Sequence, residues 1–155
     1  MSEARELIYG TCVAFGERAV LLRGESGAGK SDLALRFLAL GGDGDDLPAL
    51  ISDDQVWVER KANGRLMATA PRTLAGKIEV RGVGIMTVAH RSEAPLVLVC
   101  DLATGDGVPR LPPDPLDCTE MAGVSVPCLT LTPFEASAPL KLKLALLSAA
   151  KDTSI

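Results

Sequence analysis

Residues 18–40 read RAVLLRGESGAGKSDLALRFLAL, and this stretch decides the fold. At its centre, Gly24-Glu25-Ser26-Gly27-Ala28-Gly29-Lys30-Ser31 fits the spacing G-x-x-x-x-G-K-[ST] of a phosphate-binding loop. Glycines let successive backbone N–H groups turn inward around phosphate oxygens, where a Cβ would obstruct them. Lys30 sets a point charge on the β- and γ-phosphates, and Ser31 offers a hydroxyl to magnesium. The helix that follows adds its positive N-terminal end. All eight positions, Gly24 through Ser31, are therefore expected to hold ATP, with Mg2+ at Ser31.

The flanks give this loop its required setting. RAVLLR (18–23) is an apolar, strand-like run. Leu33, Leu35, Phe37, Leu38 and Leu40 line one side of a helix that Gly41-Gly42 would stop. Further out, residues 8–15 (IYGTCVAF) read as a second strand, turned into the first at Gly16-Glu17. The Gly- and Asp-rich segment 41–48 predicts a surface loop, followed by a short strand reaching Ser52 and the alternating strand QVWVE at 55–59. Residues 78–88 (IEVRGVGIMTV) read as two extended pieces around a Gly82–Gly84 bend. PLVLVCDL (95–102) is continuously apolar, as an interior strand should be. A Gly- and Pro-rich loop at 105–115, a strand near 126–131 and a helix from Pro139 to Lys151 complete the pattern. Strands outnumber helices. The expectation is one α/β domain over 1–155, a mixed β-sheet with few helices.

Composition narrows the partners. With 47% hydrophobic and 23% charged residues the chain can bury a core instead of staying disordered. Its 16 basic residues are outnumbered by 20 acidic ones and form no stripe, which argues against nucleic acid. The apolar runs 95–100 and 144–150 are too short to cross a bilayer, so no membrane partner is expected. MSEARELIYG at the start has no apolar signal core, which points to the cytoplasm. Cys12, Cys100, Cys118 and Cys128 show no CxxC pairing, and His90 is the single histidine. Buried free thiols are the expectation, and His90 is expected as an exposed loop residue.

Phosphoryl transfer also needs a second metal anchor and a group to orient the acceptor. Asp53-Asp54 sit where a strand ends or bends. Adjacent residues of a strand point to opposite faces, so one carboxylate at most faces the nucleotide unless the backbone is irregular. An ordinary surface turn fits the pair equally well. Glu79 and Arg81 fall two apart, on one face of an extended segment, and suit either a magnesium and phosphate site or a surface ion pair. Asp32 reads as a first-turn acid favoured by the helix dipole.

Four blocks in order resemble the HPr kinase/phosphorylase family, in its short form without the N-terminal domain. They are YGTCVAFGERAVLLRGESGAGKSDLAL (9–35), ISDDQVWVE (51–59), IEVRGVGIMTV (78–88) and, more loosely, VPCLTLTPFEASAP (126–139). The resemblance implies a P-loop fold of the phosphoenolpyruvate-carboxykinase-like type. It implies a serine protein kinase that uses ATP and Mg2+ on an HPr-like phosphocarrier of the phosphotransferase system, can run in reverse with inorganic phosphate, and assembles as hexamers when full-length. By matching position it makes Lys30 the phosphate ligand, Ser31 and Glu79 the metal ligands, and Asp54 the group that accepts the seryl proton. Arg81 falls in the signature stretch, and Arg110 matches an arginine near the transferring phosphoryl group.

Three departures bear on activity. Tyr9 stands where the family has a histidine, and a phenol with a reference pKa of about 10 does not share a proton at neutral pH as imidazole does. The insert at 41–48 lengthens the link to Asp53. The family's Arg- and Gly-containing segment tied to dephosphorylation is replaced by LTPFEAS (131–137), which holds no basic residue. A kinase with weak or absent phosphorylase activity is expected. A nucleotide-binding regulatory module and a small-metabolite kinase are the competing readings.

Overall fold

The computed structural model describes residues 4–153, with side chains to residue 149. Its axis is β3 (Arg18–Arg23), whose Ala19 to Leu22 are all fully buried. On one edge β3 pairs antiparallel with β2 (Thr11–Phe15), and β2 in turn with β4 (Pro48–Ser52). On the other edge it runs parallel to β9 (Glu93–Leu102), the longest strand. β9 is joined by β6 (Leu66–Thr69) along its first residues and by β11 (Val124–Leu131), again parallel, along its last. β5 (Gln55–Arg60), β1 (Arg5–Tyr9) and β10 (Asp117–Met121) complete a nine-stranded mixed sheet. β7 (Lys77–Val80) and β8 (Gly84–Thr87) form a separate hairpin.

Strand alternation sorts the core into two clusters. Val13, Phe15, Val20, Leu22, Leu98 and Cys100 face the helices α1 (Lys30–Leu38) and α2 (Ala138–Thr153), which contribute Leu33, Phe37, Leu142 and Leu146. Cys12, Ala14, Ala19 and Leu21 face the other way, onto Val56, Val58, Leu66 and Ala68 of β5 and β6. The sheet is thus covered on both sides, which is why its central strands read as unbroken apolar runs. The α/β expectation of a mixed sheet with few helices holds.

Several local expectations need correction. Residues 8–15 are two strands, not one. At Gly10 a Cβ would lie 2.7 Å from the Leu22 carbonyl oxygen, and there the chain leaves β5 for β3 and β4. The loop after α1 ends earlier than expected, since Pro48 already pairs with Phe15. β6 and β10 had no sequence signal, being short, and β10 (DCTEM) largely polar. Arg81 does not share a strand face with Glu79, because β7 ends at Val80. It occupies a turn closed by Val83 N–H donating to the Val80 carbonyl, with Gly82 at φ 86°. Cys12 and Cys100 are buried as expected, but Cys118 is exposed and Cys128 half-buried. Among the described residues, no helix is long and apolar enough to cross a membrane. Residues 1–3, 154 and 155 of the expected 1–155 domain, with the start of the charged N-terminus, lie outside the described residues.

Candidate nucleotide-binding site

The loop from Gly24 to Gly29 joins the carboxyl end of β3 to the first turn of α1. Two of its residues need left-handed backbone, Gly27 at φ 85° and Gly29 at φ 99°, and both are glycine. A further glycine is required by space: a Cβ on Gly24 would sit 2.9 Å from that of Ala28. Ala28 N–H bonds the Glu25 carbonyl and Leu33 N–H that of Gly29, so the loop is closed on itself before the helix begins. Lys30 Nζ arches back over it, donating to the carbonyls of Gly24 at 2.6 Å and Glu25 at 3.0 Å. The ammonium is held above the loop concavity, where a polyphosphate would lie. Beneath the loop, Arg23 clamps Asp101 of β9 at 2.7 and 3.0 Å and reaches Thr119 at 3.3 Å. The Asp101 hydrogen bond is the chief cause that raises the Arg23 pKa above its ordinary value, against partial burial.

On the β2/β4 side of the loop, Asp53 gathers three donors. Its Oδ1 accepts from Ser31 Oγ at 2.8 Å and from Thr11 Oγ1 at 2.9 Å, and its Oδ2 from the Glu79 backbone N–H at 3.3 Å. Asp53 is 7% exposed, and Thr11 is wholly buried. Asp54 takes no part in this network. It is exposed, with its backbone at φ 75° and its carbonyl bonded by Gly10 N–H at 2.9 Å. The pair therefore occupies a bend between β4 and β5, and the irregular backbone, not strand alternation, decides which carboxylate meets the loop. Asp53 was legible as one of two acids, but nothing in the sequence marked it as the partner of Ser31. Tyr9 lies beside this bend, paired with Gln55, and is 71% exposed.

Glu79 presents an exposed side chain on β7, whose buried neighbour Ile78 anchors the hairpin in the core. Ser31, Asp53 and Glu79 thus offer one hydroxyl and two carboxylates, all oxygen donors suited to Mg2+. No three His, Cys, Asp or Glu side chains converge into a metal cage among the described residues. Magnesium needs none, since it keeps water and substrate phosphate as most of its ligands.

The other sequence-predicted residues, Arg81 and Arg110, take no part in the Asp53 hydrogen bonds. Arg81 is exposed in the β7–β8 turn. Arg110 is exposed on the loop leaving β9. The segment after β11 is bound to α1 instead. Arg36 donates to the carbonyls of Pro133 and of Glu135 (3.0 Å) and to Asp32 at 3.0 Å.

Residues 2–98 match the family model described as the HPr Serine kinase C-terminal domain. That span includes the phosphate loop, both aspartates, Glu79 and Arg81, but neither Arg110 nor the segment after β11. The HPr kinase/phosphorylase of Exiguobacterium sibiricum is 33% identical over 106 residues, 64% of this chain and 32% of the relative. That of Lactobacillus delbrueckii subsp. bulgaricus is 35% identical over 109 residues, 66% of this chain and 33% of the relative. The chain spans about a third of the length of these curated relatives. A solved structure of the Hpr(Ser) kinase/phosphatase from Coxiella burnetii superposes with a TM-score of 0.78, covering 97% of this chain and 99% of that one. At 20% identity that likeness is one of fold.

Proposed function

The chain belongs to the HPr serine kinase C-terminal domain family, and on that premise we propose that it is an ATP- and Mg2+-dependent serine protein kinase. Its substrate is a seryl hydroxyl on an HPr-like phosphocarrier of the phosphotransferase system, and residues 1–155 form one catalytic domain. The observation that carries this reading is the 2.8 Å bond from the phosphate-loop hydroxyl of Ser31 to the buried carboxylate of Asp53. A carboxylate fixed on that hydroxyl is what a nucleotide-bound magnesium requires of its protein.

Each residue then has a separable task. Lys30 and the backbone N–H groups of Gly24 to Ser31 bind the β- and γ-phosphates. Ser31 and Glu79 hold the metal, with Asp53 orienting Ser31. Bound Mg2+ neutralises charge on the phosphates during transfer. Asp54, free of the Asp53 network and open to solvent, accepts the proton of the acceptor seryl hydroxyl. As it does so, the seryl oxygen bonds to the γ-phosphorus and the bond from that phosphorus to ADP breaks. Arg81 and Arg110 supply positive charge at the two margins of the site. Phosphorylase activity is weak or absent: residues 131–137 hold no basic group, and the arginine nearest them in the hydrogen-bond network, Arg36, is engaged by their carbonyls and Asp32. The protein works in the cytoplasm as a homo-oligomer, a hexamer by family likeness, without membrane or nucleic acid.

The test is incubation with labelled ATP, Mg2+ and HPr-like carriers. Phosphoserine on the carrier is expected. Asp54→Asn should keep ATP affinity within about twofold and lower turnover by 100-fold or more, on the order of a general base's contribution. ATP binding without transfer to any carrier would instead identify a regulatory nucleotide module, and label on a small metabolite the third reading. Efficient phosphate-dependent dephosphorylation of the phosphocarrier would overturn the phosphorylase proposal, and Tyr9→His asks whether that position limits it.

A further inference from the structure

The parallel strands β3, β9 and β11 end side by side. Arg23 and Thr130 both register against Asp101, and Leu131 against Leu102. Ligands of open α/β sheets lie outside the carboxyl ends of such strands. The phosphate loop leaves β3, in the middle of the site. Asp53, Asp54 and Glu79 lie on one side of it, beyond β2 and β4, so the reacting end of a nucleotide points that way. The sugar and base must then extend across the ends of β9 and β11.

One aromatic side chain stands on that side. Of the five aromatic residues, Phe15 and Phe37 are buried in the core. Trp57 lies on β5 under the Arg5 guanidinium, and Tyr9 lies beside Asp54. Phe134, on the segment leaving β11, is 67% exposed, yet its ring edge fills the space that a side chain on Gly29 of the phosphate loop would need. A Cβ on Gly29 would lie 2.9 Å and 3.0 Å from its Cε1 and Cζ. The segment that carries it is braced on both flanks. Arg36 binds the carbonyls of Pro133 and Glu135, Lys141 pairs with Glu135 at 2.8 Å, and Pro133 is buried. A braced aromatic ring open to solvent beside a phosphate loop is a preorganised stacking face.

We propose that Phe134 is the base platform of the site, its ring stacking on the nucleobase of the bound nucleoside triphosphate. This rests on the nucleotide reading of the phosphate loop. Phe134 lies outside the residues of the family match.

The experiment compares binding of Mg2+-ATP with binding of Mg2+-tripolyphosphate, which has the phosphates without a base, by calorimetry. Wild type, Phe134→Ala and Phe134→Trp are measured, with thermal melts to verify folding. Phe134→Ala should weaken ATP by about 5- to 150-fold, the range of one base–aromatic stack, and leave tripolyphosphate within about twofold. Phe134→Trp should retain ATP affinity. Equal losses on both ligands would make Phe134 a support for the phosphate loop and overturn the proposal, as would no loss on either. Wild type that binds ATP but ignores Phe134→Ala removes the platform alone. Wild type that binds neither ligand removes the nucleotide reading with it.

Discussion

Replacing Asp53 with alanine removes an acceptor that three donors share, and the cost follows from their surroundings. Thr11 is wholly buried, so its hydroxyl, bonded at 2.9 Å, is left without a partner or water. An orphaned buried donor costs about 1–3 kcal/mol. Ser31 is half-buried and the Glu79 N–H lies on an exposed hairpin, so water replaces much of those two bonds. They add about 1 kcal/mol together, and relief of a buried charge offsets part of the sum. The expected loss is about 2–3 kcal/mol, or roughly 4–12 °C in Tm for a chain of this size. Asp53→Asn should cost less, about 1–2 kcal/mol, because its amide keeps one acceptor for Thr11 and Ser31 but turns an N–H toward the Glu79 N–H. Urea unfolding at neutral pH reads these values, and a cycle with Thr11→Val isolates the mechanism. Thr11→Val deletes the donor that Asp53→Ala strands, so the double variant should be less destabilised than the sum by about 1–2 kcal/mol. Additivity within about 0.5 kcal/mol would refute the claim that Asp53 is held through Thr11.

Two further outcomes are expected. Gly29→Ala forces a Cβ onto φ 99° and against Phe134, and should lower stability by about 1–3 kcal/mol; adding Phe134→Ala should recover the contact part but not the backbone part. Two buried thiols should contribute to alkaline stability: burial pushes Cys100 up to about 12 and Cys12 further still. Unfolded thiols ionise near about 8.5, so above that pH the unfolded state binds fewer protons than the folded one. Stability should therefore fall as pH rises from about 8.5 toward 12, by about 1.4 kcal/mol per pH unit for each thiol. Urea midpoints at stepped pH should show this slope, and Cys12→Val with Cys100→Val should flatten it; an unchanged slope would mean the thiols do not couple to folding.

Legibility followed the range of each interaction. The phosphate loop is written in eight consecutive residues because its chemistry is local: two left-handed glycines, a lysine and a hydroxyl at fixed offsets along one turn. The apolar runs of β3 and β9 were equally plain, since both faces of those strands are covered. So was α1, with its stripe from Leu33 to Phe37.

The sequence alone therefore determined where the phosphate-loop motif lies between strand and helix, that the sheet is mixed, and which family the order of blocks resembles. Tertiary structure decided what depends on distant chain. Strand alternation could not choose between Asp53 and Asp54, because Asp54 turns left-handed where Gly10 N–H captures its carbonyl. The break between β1 and β2 came from the close approach of Gly10 to Leu22, and the bracing of Phe134 from an arginine on α1 nearly a hundred residues away. Such contacts are set by which strands lie adjacent and where the chain bends, and no local run of residues encodes that geometry.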